Sequence, residues 1–374
     1  MSITKVTDAG LNKSRIVTPL IINGDMAIAQ RATSTSSVSS GSTFPVDRYK
    51  FLPNALGTFT ISQSTTVPTG QGFSKSIKVD CTTANASPGD GSTLQLVQYI
   101  EGQNLQLLKK GTSSAEAVTI SFWVRSNKTG TYTLELYDND NARQISQTYT
   151  ISSADTWEKK TVNFAGDTTG ALDNDNALSF AVQFWLATGA NYNNQTLSTS
   201  WSSVTQASRV SGSQVNIADN TANEWYITGL QMEVGEFDTN TIPTFPFESF
   251  TSNLTKCSRY YTEINQNGAN GWRTFSARVN GGSDVENIGI TLPTFLRIGN
   301  PTVTKNSGAV AQAWDESGYH VTAGGGGTFS ILTDSGDNTP YLNCKQNGFS
   351  GLTGGAANYS IVIGTPSVAV DAEL

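Results

Sequence analysis

From Phe44 onward the chain is a succession of short runs in which apolar and polar residues alternate. In 118–124, Val118, Ile120, Phe122 and Val124 share one parity while Thr119, Ser121 and Trp123 share the other. That period of two marks a strand with one buried face. Leu178, Phe180, Val182, Phe184 and Leu186 repeat it. The same pattern predicts strands at 73–81, 93–100, 132–137, 157–164 and 224–234. In the last of these the apolar parity changes between Ile227 and Leu230, and Gly229 at the slip predicts a β-bulge. Turn-forming residues separate the runs at 127–130, 138–141, 166–170 and 173–176. Antiparallel strands in this number, with no helical stretch between them, predict an all-β jelly-roll sandwich over 45–250.

A proline-punctuated link (Pro243, Pro246) follows, then one predicted helix at 252–263, where Leu254, Cys257, Tyr260 and Tyr261 recur at spacings of three and four. Residues 251–374 read as this helix leading a second, smaller β-sandwich-like domain. Its strands are predicted near 274–279, 288–295, 328–333, 341–345, 359–363 and 368–372. Residues 1–44 read differently, as a mixed lead to Arg31 and a Ser/Thr/Gly tract from Thr33 to Thr43 that buries too little apolar surface to fold alone. They are expected to be an attachment segment and a loop.

Composition narrows the function classes. Of 374 residues only 14% are charged, Ser and Thr make up about a quarter, and the formal net charge is −7. Clustered Lys and Arg are what phosphate backbones require, so nucleic acid is not an expected partner. The densest basic pair, Lys109-Lys110, is expected to cap a turn. No apolar run reaches the ~18–20 residues of a membrane span. No basic stretch followed by an apolar one opens the chain, so synthesis in a cytoplasm without membrane insertion is expected. Cys81, Cys257 and Cys344 are isolated and read as buried reduced thiols.

One ordered set of segments begins with Leu20-Ile21-Ile22-Asn23-Gly24-Asp25-Met26, Ala29-Gln30-Arg31 and Asp47-Arg48-Tyr49. ISFWVRSNK from Ile120, WEKKTVNFAGDTTG from Trp157, and a stretch from Tyr226 holding GLQMEVGEF, TFPFESF and CSRYY continue it. Leu292-Pro293-Thr294-Phe295-Leu296-Arg297 and the closing Val370-Asp371-Ala372-Glu373-Leu374 complete it. Taken in order, these segments resemble tailed-bacteriophage fibre and virion-surface proteins, which more often carry Met where Leu296 stands. The resemblance implies a virion component with a carbohydrate-binding-module-like jelly roll and a small β domain. It further implies a homotrimer that contacts other virion proteins through its N-terminal segment and engages host surface polysaccharide. No ligand-binding residue carries over by motif.

Candidate chemistry is sparse. Trp123 and Trp185 have the parity opposite to their core rows, so either ring is a candidate to stack on a sugar. Asp138-Asn139-Asp140-Asn141 and Asp173-Asn174-Asp175-Asn176 repeat one tetrapeptide in two turns. They lack the glycine and distal glutamate of an EF-hand loop, which leaves calcium at Asp138/Asp140 or Asp173/Asp175 open and turn formation the simpler reading. His320 has no second histidine for a metal pair, and the glycine run 324–327 opens no helix that would cradle phosphate. No metal, cofactor or catalytic residue is expected. The leading expectation is a non-enzymatic tail fibre or receptor-binding protein of the virion. A capsid-surface head fibre or decoration protein is the alternative, and a glycan depolymerase a more distant one, since no internal repeat marks a parallel β-helix.

Overall fold

The alternating runs become two antiparallel sheets facing each other. A computed structural model describes residues 19–265, 272–280, 284–298, 301–305, 311–314, 320–322, 329–331, 341–349, 357–364 and 367–374. The N-terminal strands are β1 (Ser34–Val38), β2 (Thr43–Val46), β3 (Tyr49–Asn54), β4 (Thr58–Ser64), β5 (Ser76–Thr83), β6 (Thr93–Glu101) and β7 (Val118–Ser126). They continue with β8 (Gly130–Asp138), β9 (Arg143–Ile151), β10 (Glu158–Phe164), β11 (Leu178–Thr188), β12 (Ser202–Ser203) and β13 (Glu224–Val234). One sheet has six strands in the order β1-β4-β5-β13-β7-β10, the other seven in the order β12-β9-β8-β11-β6-β3-β2. Between them lies one apolar core, in which Phe122 meets Tyr149 and Phe184 edge-on at 5.0 Å each. The rows predicted from parity, Ile120/Phe122/Val124 and Phe180/Val182/Phe184/Leu186, both face it.

Two expectations about the start of the chain change. The Ser/Thr tract is not a loop: β1 pairs with β4, and β2 pairs with β3. An edge strand draws its hydrogen bonds from one neighbour and leaves its side chains in water, so polarity did not exclude it. Residues 20–26 also belong to the sandwich, since Leu20, Ile21 and Met26 lie in its core. The bulge at Gly229 is present, with φ +64 and a register shift between Thr228 and Gln231. A Cβ there would sit 2.6 Å from the Phe73 ring.

The helix α1 is shorter than predicted, Phe250–Ser258, and is capped by the Ser249 hydroxyl, which accepts from the Ser252 amide. Its predicted last residues instead enter a strand, Tyr261–Asn265, in a three-stranded sheet with Ser367–Asp371 and Thr302–Lys305. A second sheet of this region orders His320–Thr322, Ala311–Trp314, Ala357–Gly364, Trp272–Asn280, Asp284–Thr291, Tyr341–Gln346 and Phe329–Ile331. The glycine run 324–327 lies outside the described residues, and His320 is placed only by its backbone. No helix among the described residues is long and apolar enough to cross a membrane. All three cysteines are buried and free.

Four arginines of the ordered motifs, Arg31, Arg48, Arg259 and Arg297, converge where the sandwich meets the three-stranded sheet. Arg48, buried, bonds the Tyr99 carbonyl at 2.6 Å, pairs with Glu373 and lies 3.4 Å over the Tyr260 ring. Arg31 pairs with Asp371 at 3.1 Å and sits between the rings of Phe44 and Tyr261. Arg259 forks onto the fully buried Glu101, with nitrogen to oxygen distances of 3.1 and 3.0 Å. Arg297 donates to the carbonyls of Ala372 and Asn176. Gln30 bridges the same seam, giving its amide to Asp47 and to the Tyr261 carbonyl. The segments holding these four arginines and the closing segment 370–374 therefore build the joint between the two β regions, while those from Ile120 and Trp157 lie in β7 and β10 of the sandwich.

Candidate functional site

The outer face of the seven-stranded sheet carries polar and aromatic residues in rows set by the strand register. Ala181 on β11 lies between Tyr99 on β6 and Tyr137 on β8. Two strand spacings put these half-buried tyrosines about 9–10 Å apart across a floor with no side chain larger than a methyl. The next row is Val97, Gln183 and Glu135, and the one after it Gln95, Trp185 and Thr133. Gln95 donates to the Gln183 carbonyl oxygen at 2.8 Å. Burial raises the pKa of the Tyr99 phenol, so it stays a neutral donor and acceptor at neutral pH.

A strap from Gly189 to Ala222 closes one side of this face. Ser146 donates to the Arg209 carbonyl at 2.7 Å, the Ser211 amide to Thr133 at 3.1 Å, and the Gln214 side chain to the Trp185 carbonyl at 2.9 Å. Arg209 forks onto Glu135 at 2.8 and 3.0 Å and lies over the rings of Tyr137 and Trp185. The only carboxylate in the central rows is thus neutralised. What remains is two half-buried phenol rings, Tyr99 beneath the Lys50 ammonium at 5.1 Å and Tyr137 beneath Arg209, with the buried amides of Gln95 and Gln183 beside them.

The two tryptophans singled out by parity do point away from the core, but onto opposite outer faces of the sandwich. The structure does not bring them together. Trp185 is fully buried beneath the strap, donates its indole N–H to Glu135 at 2.8 Å and packs on Tyr192. It offers no free ring face, so its place in the site is as a support for Arg209 and Glu135. Trp123 is half-buried on the six-stranded sheet, between Thr228 on β13 and Lys159 on β10.

The repeated acidic turns are occupied by protein groups. Asp140 accepts from the Asp173 amide at 3.0 Å, so the two tetrapeptides brace each other, and Asp175 accepts from the Ala177 amide at 2.9 Å. The Lys109-Lys110 pair does cap turns: Lys109 ends the 3-10 turn Gln106–Leu108, and the Lys110 side chain closes the turn at 166–170. The buried Lys110 ammonium meets Asp138 at 2.5 Å, Asp167 at 3.0 Å and the carbonyls of Thr169 and Gly170 at 2.9 and 2.8 Å. Four oxygens around one internal cation leave no room for a metal at Asp138. Burial pushes the Asp167 carboxyl up, and the hydrogen bonds from Arg143 and Lys110 outweigh it, holding the group below the usual range. Among the described residues no cluster of three or more His, Cys, Asp or Glu side chains is placed to hold a metal ion.

No protein-family model matches the chain, and no curated protein matches it. Solved structures are similar to about half of the chain at low identity. One is the enzymatically active domain of tailspike protein 4 of bacteriophage CBA120, 16% identical with a TM-score of 0.30, covering 53% of this chain and 21% of that one. Another is a family 11 carbohydrate-binding module of Clostridium thermocellum in complex with a β-1,3-1,4-mixed-linked tetrasaccharide, 8% identical, TM-score 0.28, covering 55% and 97%. A third comprises the CBM22-1 and GH10 modules of a Clostridium thermocellum endo-1,4-β-D-xylanase with xylohexaose, 12% identical, TM-score 0.26, covering 55% and 30%. The chain thus spans about a fifth of the tailspike domain and nearly all of the family 11 module.

Sequence reasoning missed Tyr99, Tyr137, Gln95 and Gln183. Tyr137 has the parity opposite to Leu134 and Leu136, and Gln183 the parity opposite to Val182 and Phe184, so outward placement was available. Their alignment across Ala181 depends on which strands are neighbours, and no local pattern encodes that.

Proposed function

We propose that the protein is a non-enzymatic structural component of a phage virion, of the tail-fibre or receptor-binding type, whose sandwich engages host surface glycans. The observation that carries the glycan reading is the Tyr99–Ala181–Tyr137 row beside the Gln95 and Gln183 amides on the outer face of the seven-stranded sheet. Aromatic rings supply flat apolar area, amides supply donors and acceptors, and the pairing of Glu135 with Arg209 leaves no unpaired carboxylate in these rows to repel a sugar hydroxyl's lone pairs. The virion reading rests on the ordered sequence resemblance, four of whose arginines meet at the joint between the two β regions. A homotrimer, attached to other virion proteins through the N-terminal segment, belongs to the same proposal.

The test is a panel of host surface polysaccharides presented to the intact chain. Retention of a neutral glycan by the wild type, weakened at least tenfold by Tyr137→Ala with unchanged melting, is the expected result. Binding indifferent to both Tyr99→Ala and Tyr137→Ala would remove this face from the reading, and release of reducing ends would make the protein a depolymerase. Antibody labelling of intact particles separates a tail fibre from a head fibre or decoration protein.

A further inference from the structure

Lys110 makes its ion pairs out of contact with water. Its side chain is 3% exposed, that of Asp138 0% and that of Asp167 3%. By contrast Lys78, Lys128, Lys160, Lys256 and their carboxylate partners are each at least 17% exposed. The Trp201 ring, held by its own bond to the Ala165 carbonyl, lies 5.3 Å from the Lys110 ammonium and closes one side of the cluster.

The groups around this amine stand where an acyl transfer needs them. A lysine ammonium carries three protons. The carbonyls of Thr169 and Gly170 take two of them at 2.9 and 2.8 Å, so the third lies toward Asp138 Oδ2 at 2.5 Å and Asp167 Oδ2 at 3.0 Å. Once that proton has left, the nitrogen lone pair faces the Asp138 carboxyl. The second oxygen of that carboxyl, Oδ1, accepts from the Asn141 backbone amide at 3.1 Å and from the Asn141 side chain at 3.3 Å. Two donors at one carboxyl oxygen are what a developing oxyanion requires. Burial pushes the Asp167 carboxyl up, but bonds from Arg143 and Lys110 hold it below the usual range, so it stands beside the amine as an ionised proton acceptor.

We propose that Lys110 and Asp138 condense to an intramolecular amide, an isopeptide bond that needs no other reactant. The third ammonium proton passes to Asp138 Oδ2, and the neutral amine adds to Cγ, forming the Nζ–Cγ bond with the negative charge on Oδ1. Asp167 takes the extra proton from the nitrogen and delivers it to Oδ2, and the Cγ–Oδ2 bond breaks with release of water. No electrons are exchanged, and one buried ion pair, Arg143 with Asp167, remains where there were two. In open water an amine and a carboxylic acid stay apart because both are stabilised as ions. Burial weakens that stabilisation, and a nucleophile fixed beside its target reacts as if present at about 10⁵–10⁸ M. The ion pair is the state before condensation, and the amide ties the loop at Lys110 to the end of β8 in a chain whose three cysteines are all free.

Intact-mass measurement of the purified full chain, denatured beforehand, tests this. The expected mass is one water below that of the sequence, and protease digestion should yield a branched peptide joining the segments that hold Lys110 and Asp138. Lys110→Arg keeps the cation and Asp167→Asn keeps the shape, and each should be found at its full sequence mass. A wild-type chain at full sequence mass overturns the proposal, whether or not either variant folds. So does a water loss mapped elsewhere, for instance to a succinimide at Asp90-Gly91. A branched peptide that persists in Asp167→Asn overturns the mechanism given for its formation.

Discussion

At the scale of single residues, Lys110 shows what an acidic, oxygen-rich loop does when it closes without a metal. The ammonium satisfies two carboxylates and two carbonyls from segments that are distant in sequence. Removing it strands Asp138, which is fully buried and keeps only Asn141 as a partner, whereas Asp167 retains Arg143. Lys110→Met is expected to cost about 3–5 kcal/mol, the usual penalty for breaking a buried pair from one side. Chemical denaturation measures this as a fall in midpoint with an unchanged slope. The wild-type melting temperature should be the same in millimolar calcium and in chelator. Lysine at 110 was visible as a basic residue in the sequence. Its destination was not, because the four oxygens come together only when two loops and a hairpin turn meet.

Among elements, β13 is held in register by its bulge. Gly229 adopts a left-handed φ, and its missing side chain is the space into which the Phe73 ring fits, with Phe245 edge-on and Phe247 tilted against that ring at 5.1 Å each. Gly229→Ala should cost about 1–3 kcal/mol, from backbone strain and displacement of that ring, and differential scanning fluorimetry should show a lowered melting temperature. The bulge was legible in advance because a parity slip at glycine is a local signal. So were most strands of the sandwich, since each repeats a buried residue every second position. β1 was not, because Ser34–Val38 exposes most of its side chains and takes its identity from pairing with β4. The end of α1 was misplaced for a related reason: Tyr260 and Tyr261 continue helical spacing, but stacking beneath Arg48 and Arg31 draws them into the joint. The strap over Trp185 is polar and aperiodic, so nothing in it announced that the indole would be covered.

For the molecule as a whole, the joint between the β regions holds a carboxyl that makes it pH-sensitive. Asp47 accepts the Gln30 amide groups, and Gln30 in turn reaches the Tyr261 carbonyl, so one carboxyl helps hold both sides. Burial pushes the Asp47 pKa up to about 6, against the Gln30 hydrogen bonds and the Arg31 charge. A folded-state value above the unfolded one means that the native protein binds the extra proton between roughly pH 4 and 6. The associated stability is present below that window and lost as pH rises through it. Asp47→Asn, which imitates the protonated group, should therefore gain stability over the wild type as pH rises from 4 to 7. The gain, on the order of 2–3 kcal/mol, is read from denaturation midpoints across that range.

The same joint sets an order on biosynthesis. Arg48 and its partner Glu373 are separated by 325 residues of chain. At ~5–20 residues per second, translation takes roughly 15–65 s to travel from one to the other. For that interval a guanidinium destined for burial stands without its carboxylate, although the strands around it have already been made. The strands of the sandwich are thus made with this socket open, and it can be filled only once the segment 371–373 has followed them.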